Sequence, residues 1–214
     1  MSYNYFAFLD VMGYREHLKK DIESGEEQFK EKLINAFRVF EHIDSSEIKY
    51  KSISDSIFIS VNQGYDVNKF FDVLKKIWIA FLEQGLLLRG GVSYDSHFEN
   101  QHITYSKALT DAYNIESQQA FFPRIVVNNN IFDITKSEYK TFIIKSGDDY
   151  IIDVVTSENV IELYEHFKKI AYSNHSSIRK SAQIRSKYLW LQEYFLFRNP
   201  ALGKYILEWT EAFE

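Results

Sequence analysis

The chain has 214 residues, a formal net charge of −5 at pH 7, 45% hydrophobic residues and 17% aromatic residues. That is enough apolar material for a packed core, and two prolines and eight glycines argue against disorder or a linker-rich array. The acidic balance argues against non-specific nucleic-acid binding. Zero cysteines removes disulfides, zinc–thiolate sites and thiol nucleophiles together. The opening MSYNYFAFLD reaches an acid too early for a secretory signal, and IWIAFL is far too short to span a bilayer. The expectation is a cytoplasmic protein with no membrane span.

Tyr3 to Val11 is apolar on both faces, the mark of a central strand covered on both sides. It runs into DVMGYRE, where a glycine and a switch to polar sequence open a helix. Ser24 and Glu27 have the spacing of a capping box, ahead of Phe29, Leu33, Phe37 and Phe40 at helical intervals. A hairpin follows, with Ile48 and Tyr50 before its tip and Ile57, Ile59 and Val61 after it. Val67, Phe70, Phe71, Leu74, Ile77, Trp78, Phe81 and Leu82 then form one helical stripe, ended by Gly85. LLLRGGVSYD reads as a strand, ITYSKALTDAYNIESQQA as a short strand feeding a helix, and PRIVV as a further strand. KTFIIKSGDDYIIDVV reads as a hairpin turned at Gly147-Asp148-Asp149. Two closing helices are predicted, at about 158–172 and 176–197.

The order β-α-β-β-α-β-(β)-α-β predicts an α+β fold with a ferredoxin-like split βαβ core. One domain is expected over residues 1–214, with its core at about 1–135 and a C-terminal hairpin and helical extension at about 136–214.

Asp10 ends the first strand and Asp55 sits at the hairpin tip. In a split βαβ sheet the first strand is central and a hairpin strand lies beside it, so this topology can bring the two acids together. Paired carboxylates repel unless one is protonated or a cation lies between them. Two Mg²⁺ or Mn²⁺ ions about 4 Å apart would satisfy both. Oxygen ligands without His or Cys suit such hard ions. Taken singly, each Asp also fits a turn or a helix cap. Met12, Gly13 and Tyr14 follow Asp10 into a helix whose first amides can hold phosphate.

FLDVMGYRE, KSISDSIF, LRGGVS and SKALTDAYNIES, in that order, resemble the class III nucleotidyl cyclase homology domain. More closely, FLDVMGYR, SISDSIFIS, LLLRGGVS, AYNIES followed by FPRIVV, and KYLWLQEYF resemble the pyrimidine cyclases of bacterial Pycsar anti-phage systems. The resemblance spans Phe6 to Phe195. It implies a head-to-tail homodimer with active sites at the interface. It also implies two divalent cations, Mn²⁺ or Mg²⁺, on Asp10, Asp55 and the carbonyl of Val11. The implied reaction is attack of a ribose 3′-oxygen on the α-phosphorus of UTP, or of CTP, with loss of pyrophosphate. The cyclic product would be read by a separate cyclic-nucleotide-binding effector.

In purine-specific relatives a lysine before the second acid reads the base. Lys51 matches it, and Tyr50 stands beside it; strand alternation lets only one of them face a given side. The pattern departs from the family at the arm helix. Its Asn and its transition-state Arg fall on Thr110 and Asn114, so the arginine is missing. Arg89, Arg124 and Lys187 are the replacement cations to consider, each of which could equally be a structural or surface ion pair. Asn114 could bond ribose or phosphate. His97 and His102 read as surface residues, and the aromatics of YLWLQEYFLF as core or a dimer face. Other readings are a catalytically silent nucleotide-binding or scaffold domain and a purine nucleotide cyclase. A template-directed transferase would need a basic groove.

Overall fold

The computed structural model describes residues 2–135 and 142–206. Eight strands among them form one sheet in the order β2-β3-β1-β4-β6-β8-β7, with β5 paired to β4. The strands are β1 (Ser2–Val11), β2 (Ile48–Ile53), β3 (Ser56–Asn62), β4 (Leu88–Glu99), β5 (Thr104–Ser106), β6 (Ile125–Val127), β7 (Ile143–Ser146) and β8 (Asp149–Ile152). Strand β1 lies between β3 and β4 and is antiparallel to both. That is the split βαβ arrangement expected from the sequence. Strand β6 adds parallel to β4, and the β7–β8 hairpin extends the same sheet. Lys140 and Thr141, where that hairpin was expected to begin, lie outside the described residues.

The α-helices among the described residues are α1 (Tyr14–Ser24), α2 (Gln28–Phe37), α3 (Val67–Glu83), α4 (Lys107–Gln118), α5 (Asn130–Thr135), α6 (Val160–Ser173), α7 (His175–Lys180) and α8 (Ala182–Arg198). Every residue of the predicted α3 stripe is buried, because its apolar spacing matches the helical period over four turns. Tyr5, Ala7, Leu9 and Val11 of β1 join the large core on the α3 side. Phe6 and Phe8 pack on the other face against Ala108 and Ala112 of α4.

Two local expectations are corrected. Ser24 and Glu27 form no capping box: Ser24 ends α1, and Glu27 is the N-cap of α2 without a side-chain bond. Asp21 caps α2 instead, accepting from Phe29 N at 2.9 Å and Lys30 N at 3.1 Å. The tight α1–α2 turn at Gly25 brings that carboxylate within reach. The helix expected at about 176–197 is split into α7 and α8, because Ser181 leaves the helical conformation and caps α8 through Ile184 N.

The Tyr194 hydroxyl helps to tie helix α8 to the chain after β8. Tyr194 Oη accepts from Val154 N at 2.9 Å and Val155 N at 3.1 Å, and donates to Asp153 Oδ1 at 2.6 Å. Tyr194→Phe strands two buried amides. It is expected to cost about 2–4 kcal/mol in urea unfolding, well beyond the loss of one exposed hydrogen bond.

Candidate active site

The two acids meet where β1 ends. Asp10 pairs in register with Ser56 on one side and Arg89 on the other. Asp55 occupies the two-residue turn with Ser54 that joins β2 to β3. Ser54 takes φ +59°, the sign a tight hairpin needs at its first turn residue, which favours a small side chain there. A backbone bond from Val11 N to Asp55 O, 2.9 Å, fastens the turn to the strand end.

The loop after Asp10 is shaped by packing. Met12 N donates to Leu87 O at 2.9 Å, and the side chains of Met12 and Tyr14 turn toward the core. Tyr14 meets Phe29 edge-on at 5.2 Å. Gly13 takes φ +76° and is the N-cap of α1, with no side chain capping that end. The first amides of α1 therefore lack helix acceptors and a side-chain cap, as an anion site requires.

Charge collects behind Asp10. Arg89 Nε donates to Asp10 Oδ2 at 2.9 Å, while its Nη2 lies 2.7 Å from Glu116 Oε1. Glu116 projects from the sheet-facing side of α4 and is only 3% exposed. Burial raises its pKa to about 7: Arg89 opposes the rise, and Asp10 and Asp55 add to it. Both acids therefore act on this buried point. Lys187 of α8 joins the group. Burial lowers its pKa, Arg89 lowers it further and Asp10 opposes, so its ammonium lies in the field of both. It stands over the Phe121 ring at 5.4 Å, and no carboxylate forms an ion pair with it among the described residues.

The raised pKa of Glu116 has a measurable sign. A carboxyl that binds its proton more tightly when folded makes stability fall as pH rises between the two pKa values. In metal-free protein, Glu116 is expected to lower stability from about pH 4.5 to about pH 7. Glu116→Gln should flatten that stretch of the pH–stability curve by up to about 3 kcal/mol, read by urea unfolding at several pH values.

A cavity of about 480 Å³ opens on the α4 side of the sheet, lined among others by Tyr50, Lys51, Phe58, His97, Glu99 and Leu109. Register settles the alternation. Lys51 pairs with Phe58, and Phe58 with Phe8, so Lys51 shares the face of Asp10. Tyr50 pairs with Ile59 on the opposite face and stacks on Phe40 at 4.3 Å, although 41% of it stays exposed at the cavity edge. Lys51 forms an ion pair with Glu99, which holds the Glu99 carboxyl below its usual range. His97 is buried in this wall, a correction to its reading as a surface residue. The length of β4 carries it beside Phe6, 5.5 Å between ring centroids, with its Nδ1 at 2.9 Å from Ser106 Oγ. His102 is exposed, as expected.

Asn114 and Thr110 are both exposed, whereas Ala112, Ile115 and Glu116 of the same helix are buried. Asn114 is thus not brought to this chain's own acids. Arg124 is buried and committed elsewhere. It pairs with Asp149, donates to Gln119 O at 3.0 Å and Ser146 Oγ at 3.2 Å, and lies over the Phe122 and Trp190 rings. Sequence reading missed Glu116 and Glu99. An acid one turn after Ala112 on the apolar face of a helix was the available signal for Glu116.

The residues present fit divalent cations. No group of three or more His, Cys, Asp or Glu side chains suited to a metal occurs among the described residues. A cation here would take two carboxylates and a backbone carbonyl, leaving positions for ligand oxygens, as Mg²⁺ and Mn²⁺ commonly do. Asp10 and Asp55 stand at one strand end where Arg89 pairs with Asp10 and also serves Glu116, so three carboxylates share one guanidinium and a cation would be welcome.

No protein-family model matches the chain, and no curated protein matches it. Solved structures do. The guanylyl cyclase domain of the RhoGC fusion protein from the aquatic fungus Blastocladiella emersonii is 12% identical, over 71% of this chain and 94% of that one, with a TM-score of 0.49. The guanylate cyclase domain of RhGC from Catenaria anguillulae, in complex with GTP, is 12% identical over 70% and 93%, with a TM-score of 0.42. A bacterial light-regulated adenylyl cyclase is 10% identical, over 72% of this chain and 52% of that one, with a TM-score of 0.42. No helix among the described residues is long and apolar enough to cross a membrane. The likenesses are low in both identity and TM-score.

Proposed function

We propose that the chain is a nucleotidyl cyclase that converts a pyrimidine nucleoside triphosphate, UTP in preference to CTP, to the 3′,5′-cyclic monophosphate and pyrophosphate. Its product would signal in bacterial anti-phage defence through a separate cyclic-nucleotide-binding effector. The observation that carries the reading is the placement of Asp10 and Asp55 together, beside the uncapped first turn of α1. Two divalent cations, Mn²⁺ or Mg²⁺, held by Asp10, Asp55 and the Val11 carbonyl would lower the pKa of the ribose 3′-hydroxyl and neutralise the leaving pyrophosphate.

The chain's own groups supply the remainder. The amides at Gly13 and Tyr14 hold phosphate oxygens, on a loop set by the packed Met12 and Tyr14 side chains. Lys187 offers an unpaired cation from outside the arm helix and takes the charge-stabilising role of the missing arginine. Arg89 holds Asp10, and Arg124 supports the fold. Lys51 beside Glu99 presents a donor next to an acceptor. Uracil offers O4 beside N3–H and matches that pair, whereas the same edge of cytosine reverses both groups. Tyr50 closes the rim. Asn114, exposed on the outward side of α4, would serve the site of a second copy in a homodimer with active sites at the interface.

The test is incubation with each of the four ribonucleoside triphosphates and Mn²⁺, with products identified by mass spectrometry. Cyclic UMP as the main product is expected. A dominant cyclic purine product overturns the pyrimidine reading. Nucleotide binding without pyrophosphate release favours a silent binding domain.

A further inference from the structure

Glu116 is an expensive residue to keep. A buried carboxylate loses its hydration, and an apolar side chain of similar size usually serves a fold as well or better. Here the neighbouring buried positions on α4 are Ala108, Ala112 and Ile115, so an apolar residue would continue the stripe. Glu116 Oε1 accepts no hydrogen bond, and its compensation is the ion contact with Arg89 Nη2 at 2.7 Å. Arg89 already has a carboxylate partner in Asp10. One guanidinium thus serves two acids.

The geometry of that sharing matters. Arg89 reaches Asp10 through Nε alone and touches Oδ2 alone. Guanidinium groups otherwise favour two parallel bonds to one carboxylate, which would occupy both oxygens of Asp10. The pull of Glu116 on Nη2 opposes that arrangement. Charge points the same way. Arg89 would cancel one of the two charges of Asp10 and Asp55, and Glu116 restores it.

We propose that Glu116 is a positioning residue that sets the divalent-cation affinity of Asp10, by holding the Nη2 end of Arg89 away from the Asp10 carboxylate and offsetting its charge. The proposal rests on the two-cation reading of the site. Its position is fixed by the close seating of α4 on β4. A Cβ placed on Gly91 would come within 2.7 Å of Ile115 Cβ and 2.9 Å of Glu116 N. With so little play, Glu116 keeps a constant height above Arg89.

Mn²⁺ binding to the full chain at pH 8, followed by the electron paramagnetic resonance signal of the free ion, tests this without turnover. Glu116→Gln is expected to weaken the Asp10-dependent binding about ten- to a hundredfold, the effect of one unit charge a few ångströms away. Arg89→Gln alone should tighten it at a pH high enough to ionise Glu116 without the partner that holds its pKa down, and the double variant should return near wild type. A purely structural role for Glu116 would not predict recovery in the double variant. Should Glu116→Gln fail to fold, Arg89→Gln still decides when the Mn²⁺ titration is repeated at rising pH, since binding that stays at or below wild type once Glu116 has lost its proton contradicts a competing guanidinium. Wild-type affinity in folded Glu116→Gln overturns the proposal while leaving the two-cation reading intact. If Asp10→Asn leaves Mn²⁺ binding unaltered in the wild-type background, both fall together.

Discussion

Asp10→Asn and Asp55→Asn are each expected to lower cyclic nucleotide formation by at least about a thousandfold while leaving the protein folded. Each change removes one formal charge and keeps the side-chain shape. The fold has little reason to respond. In Asp10→Asn, Arg89 retains Glu116 as its ion partner at 2.7 Å. In Asp55→Asn, the tie between Val11 N and Asp55 O uses the backbone and is untouched, and Asn suits a turn as well as Asp. A cation held by two carboxylates loses far more, because its charge is no longer balanced in a partly dry site. Mass spectrometry of the product, with circular dichroism and urea unfolding as controls, checks the prediction. Product within tenfold of wild type from either folded variant would remove the acids from the chemistry. Excess Mn²⁺ is expected to recover part of the activity if the loss is one of cation affinity.

The juxtaposition of these acids was legible because it rests on strong local signals. Apolar runs on both sides of Asp55 define two strands, and their order around the first helix leaves few topologies. Asp10 then falls opposite Ser56. The α3 stripe was equally legible, since Val67 to Leu82 obeys one period. What escaped depends on contacts distant in sequence. The cap of α2 comes from Asp21, and no local pattern distinguishes it from the Ser24–Glu27 pair. The burial of His97 follows from β5 folding back on β4, which covers an imidazole that its flanking polar sequence leaves open. Glu116 became meaningful only once α4 was seated on β4, because its partner Arg89 lies on another element. Which of Tyr50 and Lys51 shares the face of Asp10 turned on register, since alternation separates the two residues without saying which side the α4 face takes.

Gly91→Val is the second large effect expected, and it falls on the fold and the site at once. The double glycine of LRGG reads from sequence only as a weak spot in a strand. Each glycine accommodates a different neighbour. A Cβ on Gly90 would lie 2.6 Å from Phe8 O and strike the Leu9 side chain, on the β1 side. A Cβ on Gly91 would strike the carbonyl oxygen of Ala112 and come within 2.9 Å of Glu116 N, which are backbone atoms of α4 and cannot rotate away. Valine therefore forces α4 off the sheet. Phe6 and Phe8 then lose Ala108 and Ala112 as their cover. Overpacking and exposure together should cost about 3 kcal/mol or more. The displaced helix also takes Glu116 from Arg89, and Arg89 is then free to close on Asp10. Urea unfolding and Mn²⁺ binding are expected to change together in Gly91→Val, whereas Tyr194→Phe, which removes only a hydroxyl bonded at Val154 and Val155 and leaves the β1, β4 and α4 packing in place, is expected to lower stability with little change in Mn²⁺ affinity. Equal loss of Mn²⁺ affinity in two variants matched for stability would mean that cation binding follows global folding rather than the seating of α4.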